Sequence, residues 1–278
     1  MMTAVELPKP RRGSVEQVLD VARVGVKFGG VTAIEDVSFG VGRGEIVAIV
    51  GPNGAGKTTL LNAICGIAPV HDGTVLHAGV DITRRGPTTV SRAGVGRSFQ
   101  NPQLIEQKSV LDNVLCGLHC AMGYSLGHQV FRPNLVARRE REAHERALAL
   151  LDTLELVGTA ETAVSALPYG SRKLVDIARA ALTARSLLLL DEPTSGLDDH
   201  EQASLRQSLP ALRGAAGVAI VLVEHHMDFV EAVADTVVCL RSGSVCIIGA
   251  TAQVLNSAIF AGVLAGDVGT EHRTGLRG

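Results

Sequence analysis

The chain has 278 residues, of which 46 % are hydrophobic and 19 % are charged, and its formal net charge is −2. This length allows one large domain or two small ones with a buried core, and the balanced charge gives no overall attraction to nucleic acid or anionic lipid. Six phenylalanines, two tyrosines and no tryptophan leave little material for stacking on single-stranded bases, so we predict no nucleic-acid partner.

Cysteine content and hydropathy also bear on the compartment. Five scattered cysteines are typical of a reducing cytoplasm rather than of a disulfide framework. Cys116 and Cys120, with His119 and His128 nearby, have the residue types of a metal site, but a four-residue spacing on a predicted helix favours packing. The first residues carry no apolar signal core, and no apolar run approaches the ~20 residues that cross a bilayer. We therefore expect a soluble chain, or one held at a membrane by a partner.

The first predicted elements are strands, which follow a loose tail at residues 1–14. Segments 21–28 and 33–41 have the pattern of two antiparallel strands around the glycine pair at 29–30. Residues 46–50 are a short apolar run rich in β-branched side chains, which predicts a strand buried on both faces.

Two later apolar runs, 187–190 and 218–223, predict further buried strands. Each run leads into a polar or glycine-bearing loop and then into a helical pattern, which indicates parallel strands that bind ligands at their carboxyl ends. From about residue 104 to residue 182 the pattern is helical, and the charged stretch that begins at Ala137 is typical of a solvated helix face. The prediction is an α/β core with a helical insertion.

A phosphate-binding motif lies between the first buried strand and a helix. The run G-P-N-G-A-G-K-T-T at residues 51–59 fits the pattern G-x-x-x-x-G-K-S/T, and a helical pattern follows over residues 58–67. Strand, glycine loop and helix occur in the order that the chemistry needs, because the positive end of the helix then adds to the phosphate site.

The residue types in this loop predict separate roles. Gly51, Gly54 and Gly56 let the backbone curl so that successive N–H groups face phosphate oxygens. We expect Lys57 to reach the β- and γ-phosphates and Thr58 to offer its hydroxyl to Mg²⁺. The other residues assigned to nucleotide binding here are Pro52, Asn53, Ala55 and Thr59.

Two acidic residues follow the buried strand at 187–190. Asp191 is expected to emerge at its carboxyl end and to hold Mg²⁺ through water. Glu192, the next residue, can orient and polarise an attacking water. Beside a phosphate loop, these two acids imply hydrolysis of the nucleotide as well as binding.

The run L-L-L-L-D-E-P-T-S-G-L-D at residues 187–198 resembles the ATPase subunits of ABC transporters. Other parts of that family's pattern occur in the same order. Phe28 occupies the place of the aromatic that stacks on adenine, and Gln100 that of the glutamine that senses Mg²⁺ and the permease. His225 occupies the place of the histidine that contacts the γ-phosphate, and the frame E-H-x-M favours it over His226.

The resemblance covers about residues 17–258. It implies an α/β fold with a P-loop NTPase (RecA-like) core, an antiparallel β subdomain and an inserted α-helical subdomain. The implied divisions are an N-terminal tail at 1–14, an ABC ATPase domain at 15–258 with its core at 15–100 and 183–258 and its helical subdomain at 101–182, and a C-terminal tail at 259–278.

The segment L-P-Y-G-S at residues 167–171 stands where the family has its signature L-S-G-G-Q. Gly170 is retained, which suits a helix start whose N–H groups approach a phosphate closely. Pro168 lacks both the serine hydroxyl and an N–H, so we predict slow intrinsic hydrolysis. The residues that the resemblance assigns to nucleotide contact in this region are Tyr169, Gly170, Ser171 and Asp198.

Four segments, 28–39, 79–83, 92–100 and 224–227, resemble more specifically the ATPases of branched-chain amino-acid importers. Relatives with this pattern also serve polar amino acids, amides and urea. The resemblance implies an ATP- and Mg²⁺-dependent hydrolase on the cytoplasmic face of the membrane. Its implied partners are permease subunits, a second ATPase subunit that is identical or related, and, indirectly, a solute-binding protein.

Three alternatives stay open on the sequence alone. An ATPase coupled to lipid or polysaccharide export would share every nucleotide motif. A soluble ABC-type regulatory ATPase would share them too, although such proteins usually carry two ATPase modules and this chain has one phosphate loop. A partner that binds ATP without hydrolysing it is disfavoured by Glu192.

Overall fold

A computed structural model describes residues 16–118, 133–214 and 217–264. The strands are β1 (Gln17–Phe28), β2 (Val31–Gly42), β3 (Ile46–Val50), β4 (Asp72–His77), β5 (Val80–Asp81), β6 (Val95–Arg97), β7 (Leu187–Asp191), β8 (Ala219–Val223), β9 (Thr236–Arg241) and β10 (Ser244–Ala250). The helices are α1 (Lys57–Ile64), α2 (Pro87–Arg92), α3 (Val110–Cys116), α4 (Pro133–Thr153), α5 (Tyr169–Thr183), α6 (Asp199–Gly214), α7 (Met227–Val233), α8 (Thr251–Leu255) and α9 (Ala258–Leu264).

A six-stranded sheet forms the centre of the fold, in the order β10-β9-β3-β8-β7-β6. Five of its strands run parallel and β10 pairs antiparallel at one edge. Every residue of β3, β7 and β8 is buried, as expected for parallel strands covered on both faces. The predicted buried strands are therefore confirmed, with ends that differ by at most one residue.

A second, four-stranded antiparallel sheet has the order β2-β1-β4-β5. Its β1–β2 hairpin confirms the predicted pair of strands around the two glycines, and Gly29 has a φ of 58° in the turn. Buried side chains of both strands pack together with α1 in one hydrophobic cluster that also includes β3. This sheet therefore lies against the element that follows the phosphate loop.

The predicted helical stretch contains α3, α4 and α5, with 3₁₀ turns at Val157–Thr159 and Val164–Ala166. On α4 the residues Ala143, Ala147 and Leu151 are buried at helical spacing, whereas the residues of the charged stretch from 137 to 142 are exposed. The solvated-face prediction is thus confirmed. Cys116 is half-buried, and the other residues of the considered metal site lie outside the described residues. The division into core and helical subdomain stays a prediction.

The chain's last described segment corrects the expected tail. Residues from 259 were predicted to be a tail, but α9 extends to Leu264, and Phe260 and Val263 are buried in the main hydrophobic cluster. Their three-residue spacing places both on one helix face, which explains the packing. Among the helices in the described ranges, none is both long and apolar enough to span a bilayer.

Candidate functional site

The loop between β3 and α1 needs glycine at two positions for different reasons. Gly51 has a φ of 147°, and a Cβ there would come within 2.1 Å of the Leu240 carbonyl oxygen on β9. Gly56 has a φ of 97°, and its Cβ would come within 2.7 Å of the Ala33 carbonyl oxygen on β2. A side chain at Gly51 would push the loop away from the central sheet, and one at Gly56 would push it away from the antiparallel sheet. The loop is therefore fixed in place on two sides.

Lys57, the first residue of α1, closes this loop. Its Nζ donates to the carbonyl oxygens of Gly51 at 2.8 Å and Pro52 at 3.0 Å. The pKa of Lys57 is lowered from its ordinary value, because burial outweighs the opposing effect of the nearby carboxylates of Glu192 and Asp191. The sequence prediction placed this ammonium beside phosphates, and the structure places it inside the ring of the loop.

The carboxylate of Asp191 ends β7 and is held by two side chains. Thr58 donates its hydroxyl to Oδ1 at 3.2 Å, and Arg97 lies 3.3 Å from Oδ2. A threonine hydroxyl and a carboxylate side by side are oxygen ligands of the kind that Mg²⁺ prefers. The structure thus brings the predicted metal residues Thr58 and Asp191 together.

Glu192 meets Gln100 across the gap between the ends of β7 and β6. Gln100 Nε2 donates to Glu192 Oε2 at 3.0 Å. The backbone of Glu192 has a φ of 48°, in the left-handed region, and its N–H donates to the Val223 carbonyl oxygen at 3.0 Å. Because β-region and right-handed conformations are easier for glutamate, this peptide is held by its surroundings. Gln100 and Glu192 are therefore joined by a hydrogen bond, and the backbone of Glu192 is fixed in the left-handed region.

His225 follows β8 and is positioned through its neighbour. The side chain of Glu224 is fully buried and accepts hydrogen bonds from the N–H groups of His225 at 2.9 Å and His226 at 3.2 Å. The same carboxylate accepts from the Thr194 N–H at 2.9 Å and from its hydroxyl at 2.6 Å. The imidazole of His225 is 60 % exposed. The loop after β7 and the loop after β8 are thus tied together, and His225 faces outward.

The signature segment forms the start of α5. Pro168 is the N-cap residue and makes no side-chain capping hydrogen bond. A Cβ on Gly170 would come within 1.9 Å of a carboxylate oxygen of Glu201 on α6, and the Ser171 hydroxyl donates to that carboxylate at 3.2 Å. The missing side chain thus leaves room for the Glu201 carboxylate beside the start of α5. Tyr169 is 49 % exposed, and its hydroxyl donates to the Gln100 carbonyl oxygen at 3.5 Å.

Asp198 begins the next helix and pairs with the same glutamate. The Glu201 N–H donates to Asp198 Oδ1 at 2.8 Å, and the Asp198 N–H donates to Glu201 Oε2 at 3.1 Å. This reciprocal arrangement is a capping box, which stabilises the start of α6. Glu201 consequently links Asp198 to the signature segment.

A family model described as ABC transporter matches residues 34–195, more than half of the chain. The chain belongs to the ABC transporter ATPase family. It is an ATP-binding ATPase of the kind that is coupled to transport, and it has the α/β fold that the resemblance implied.

Curated relatives of this ABC ATPase cover nearly its whole length. The high-affinity branched-chain amino acid transport ATP-binding protein BraF of Pseudomonas aeruginosa is 31 % identical over 85 % of this chain and 93 % of its own. The probable branched-chain amino acid transport ATP-binding protein LivG of Archaeoglobus fulgidus is 32 % identical over 94 % of this chain and 100 % of its own. The LivG protein of Escherichia coli is 31 % identical over 87 % and 95 %.

Solved structures of ATP-binding cassettes have the same architecture as this ABC ATPase. The ADP conformation of a cassette of an ABC transporter matches it with a TM-score of 0.76 and 28 % identity, over 90 % of this chain and 99 % of that one. A dimeric post-hydrolysis state of another cassette, bound to ADP and Pi, matches with a TM-score of 0.70 and 25 % identity, over 84 % and 98 %.

The site residues of this ABC ATPase fall into two groups. The phosphate loop, Asp191, Glu192, Gln100 and His225 lie at the carboxyl ends of the central strands. The signature residues and Asp198 lie at the starts of α5 and α6. The Tyr169 hydroxyl joins them to Gln100, but among the described residues no hydrogen bond joins them to the phosphate loop itself. Phe28, at the end of β1, is 50 % exposed.

Two residues that carry the site were not singled out from the sequence. Arg97 holds Asp191, and its guanidinium carbon lies 5.2 Å from the centre of the Phe99 ring. Glu224 holds the His225 loop. Both lie inside segments that resemble the importer ATPases, and a charged residue at the end of a buried strand is the signal that could have identified them.

Proposed function

We propose that this chain is the ATP-binding and ATP-hydrolysing subunit of an importer for branched-chain amino acids or related small solutes. The proposal rests on one structural observation, the hydrogen bond between Gln100 and Glu192 beside the phosphate loop. This bond would join a candidate general base to a candidate sensor of the permease. The transport names of BraF and LivG, at 31–32 % identity, support the solute class.

Nucleotide binding would use the loop between β3 and α1. Its backbone N–H groups and the start of α1 would hold the phosphates, and Lys57 would exchange its two carbonyl partners for phosphate oxygens. Phe28 would stack on the adenine, which suits its exposure.

Mg²⁺ fits the oxygen atoms that are already adjacent at the end of β7. Thr58 and Asp191 would hold it, together with the amide oxygen of Gln100, whose nitrogen donates to Glu192. Bound there, Mg²⁺ neutralises phosphate charge.

Hydrolysis would then depend on Glu192 and His225. Glu192 would orient a water and take its proton as the oxygen attacks the γ-phosphorus, so that ADP and phosphate are the products. His225, held by Glu224 with its ring exposed, would contact the γ-phosphate. The left-handed backbone of Glu192 supports this role, because strained residues persist where a direction is needed.

The second ATPase subunit would complete the site. Tyr169, Gly170, Ser171 and Asp198 lie apart from the phosphate loop of their own chain, which fits a head-to-tail pair in which each signature faces the partner's ATP. The partner is identical or related. ATP binding would favour closure, and hydrolysis would reopen the pair. Permease subunits would dock near Gln100 and residues 101–115 on the cytoplasmic face of the membrane, with a solute-binding protein acting through them.

The test is reconstitution of the complete complex. The tagged chain is co-purified with its membrane partners, placed in liposomes with the solute-binding protein, and supplied with MgATP and radiolabelled leucine. We expect ATP-dependent uptake in the wild type and none in Glu192→Gln, although that variant still binds ATP. ATP binding without turnover in the wild-type complex would contradict the hydrolase role. Turnover stimulated by lipid or polysaccharide, with no uptake of leucine, would contradict the importer role.

A further inference from the structure

Lys173 on α5 is a buried cation to which the proposed reaction gives no role. Its side chain is fully buried, and Nζ donates to the carbonyl oxygens of Phe99 at 3.0 Å, Gln100 at 2.8 Å and Asp191 at 3.3 Å. An ammonium has three N–H donors. Each donor of Lys173 therefore has its own carbonyl, and the three carbonyls come from two separate segments of the chain.

Both segments carry the residues proposed for hydrolysis. The Asp191 carbonyl belongs to the peptide that leads into Glu192, whose φ of 48° has to be held by its surroundings. The Gln100 carbonyl belongs to the residue whose side chain donates to Glu192. Lys173 thus holds the backbone on each side of the Gln100–Glu192 hydrogen bond.

Two more side chains of α5 hold the segment after β6 that contains Gln100. Asp176 is fully buried and accepts from the Phe99 N–H at 2.8 Å. Arg179 pairs with Asp176 and donates to the Gln103 carbonyl oxygen. Lys173, Asp176 and Arg179 follow one another at three-residue intervals on α5. Together they bind backbone groups between residues 99 and 103.

We propose that Lys173 is a positioning residue for ATP hydrolysis: its hydrogen bonds make the positions of Gln100 and Glu192 depend on the position of α5. The inference rests on the proposed function, because α5 starts at the signature segment that would face the partner's nucleotide. Movement of α5 on closure displaces the Gln100 and Asp191 carbonyls together. Glu192 is then aimed correctly only when α5 is seated. The alternative is a buried cation that fills space and holds only its own helix.

Hydrogen–deuterium exchange of the full chain separates these two roles without nucleotide. Lys173→Met keeps the length of the side chain and removes the donors. The matched control is Arg138→Met, since the Arg138 side chain on α4 is exposed and pairs with Glu142 at 3.5 Å. We expect at least tenfold faster exchange in peptides that cover 99–103 and 192–195, with β3 and β8 unchanged. Faster exchange confined to α5, or spread evenly over the chain, would overturn the proposal.

A Lys173→Met chain that does not fold is replaced by Lys173→Arg. The guanidinium keeps the charge, but its planar fork cannot direct one nitrogen at three carbonyls. We expect the same pattern of exchange, smaller in size. An exchange pattern identical to that of the wild type would overturn the proposal.

Steady-state ATPase activity of the reconstituted complex tests the catalytic consequence. We expect Lys173→Met to lower kcat at least tenfold and to change the KM for ATP by less than twofold, because Lys173 does not contact the phosphate loop. Combined with Gln100→Ala, the loss in kcat is expected to be far less than the product of the two single effects. Independent, multiplicative losses would show a merely structural role. The exchange result decides the coupling even where the hydrolase role itself fails.

Discussion

Arg97 and Asp191 form a buried ion pair, with 3.3 Å between Nη2 and Oδ2 and side-chain exposures of 7 % and 2 %. Thr58 donates to the other oxygen of the same carboxylate. Arg97 therefore fixes the acid that is proposed to hold Mg²⁺. Its Nε and Nη1 are buried and have no hydrogen-bond partner among the described residues, so the ion pair carries most of the compensation for burying this guanidinium.

Replacing Arg97 by methionine is expected to lower the free energy of unfolding by about 3–5 kcal/mol, because it leaves the Asp191 carboxylate buried and unpaired. Urea unfolding at pH 7 measures this. Adding Asp191→Asn is expected to restore part of the loss, since the pair is then neutral on both sides. The control is Arg206→Met, at an exposed position on α6. Equal stability of Arg97→Met and the wild type would show that the ion pair contributes nothing.

Glu224 provides the second prediction. Its carboxylate accepts four hydrogen bonds, from two groups of Thr194 and from the backbone of His225 and His226. A glutamine amide has only one oxygen, and its nitrogen would face donors. Glu224→Gln is therefore expected to lower the free energy of unfolding by about 1.5–3 kcal/mol.

The same urea titration measures this loss, with Glu231→Gln on the exposed face of α7 as the matched control. We also expect a lower kcat in the reconstituted complex, because the His225 loop loses its anchor. Loss of stability without any change in kcat would limit Glu224 to a structural role.

The central strands and the phosphate loop were predictable because their signals are local. β3, β7 and β8 are continuous apolar runs, and a run buried on both faces needs no alternation to be recognised. By contrast, β6 has three residues with a glycine in the middle, and it becomes a strand only by pairing with β7, about ninety residues later. β4, β5, β9 and β10 were missed as well, and each owes its place to pairing with a neighbouring strand.

The contacts among the site residues could not be predicted for the same reason. Nothing local indicates that Arg97 pairs with Asp191, or that Lys173 reaches the carbonyl of Gln100, because each pair joins elements far apart in the chain. The resemblance supplied the positions of Gln100 and Glu192, but not the hydrogen bond between them. Motif spacing thus indicates which residues belong to the site, but only the fold shows which of them come into contact.

His77 predicts a dependence of stability on pH. Burial, together with the charge of Arg185, lowers the pKa of His77 from its ordinary value of 6.5, and its Nε2 lies 2.8 Å from the Ser186 hydroxyl. Below about pH 6.5 the unfolded chain binds a proton that the folded chain resists. The free energy of unfolding therefore falls as the pH drops through this window, by at most about 1.4 kcal/mol per pH unit from this group.

Urea titrations between pH 7.5 and 5 (about one unit above and one and a half units below the ordinary histidine pKa) measure this slope. His77→Gln is expected to show a smaller loss of stability on acidification than the wild type. The control is His144→Gln, at an exposed position on α4, which should retain the wild-type slope. If His77→Gln keeps the full slope, other groups account for the pH dependence.

Replacing Pro168 by serine is expected to have two separable effects, one on stability and one on the ATPase rate. As the N-cap of α5 it provides no side-chain hydrogen bond. A serine there can accept an N–H from the first turn, which stabilises a helix by about 1 kcal/mol. Its hydroxyl proton can also be donated to a phosphate oxygen across the proposed interface, a contact of about 1–3 kcal/mol. Pro168→Ser is therefore expected to raise both the free energy of unfolding of the single chain and the ATPase rate of the reconstituted complex.

Pro168→Ala distinguishes these effects, because alanine restores the backbone N–H but offers no hydroxyl. We expect it to leave the ATPase rate near that of the wild type, since α5 already begins at Tyr169 after the N-cap proline and alanine adds no side-chain donor. A higher ATPase rate in the serine variant alone would assign slow hydrolysis to the missing hydroxyl. An unchanged or lower rate in Pro168→Ser would show that this hydroxyl is not limiting, and the rate would then depend on how α5 is seated against Gln100 and Glu192.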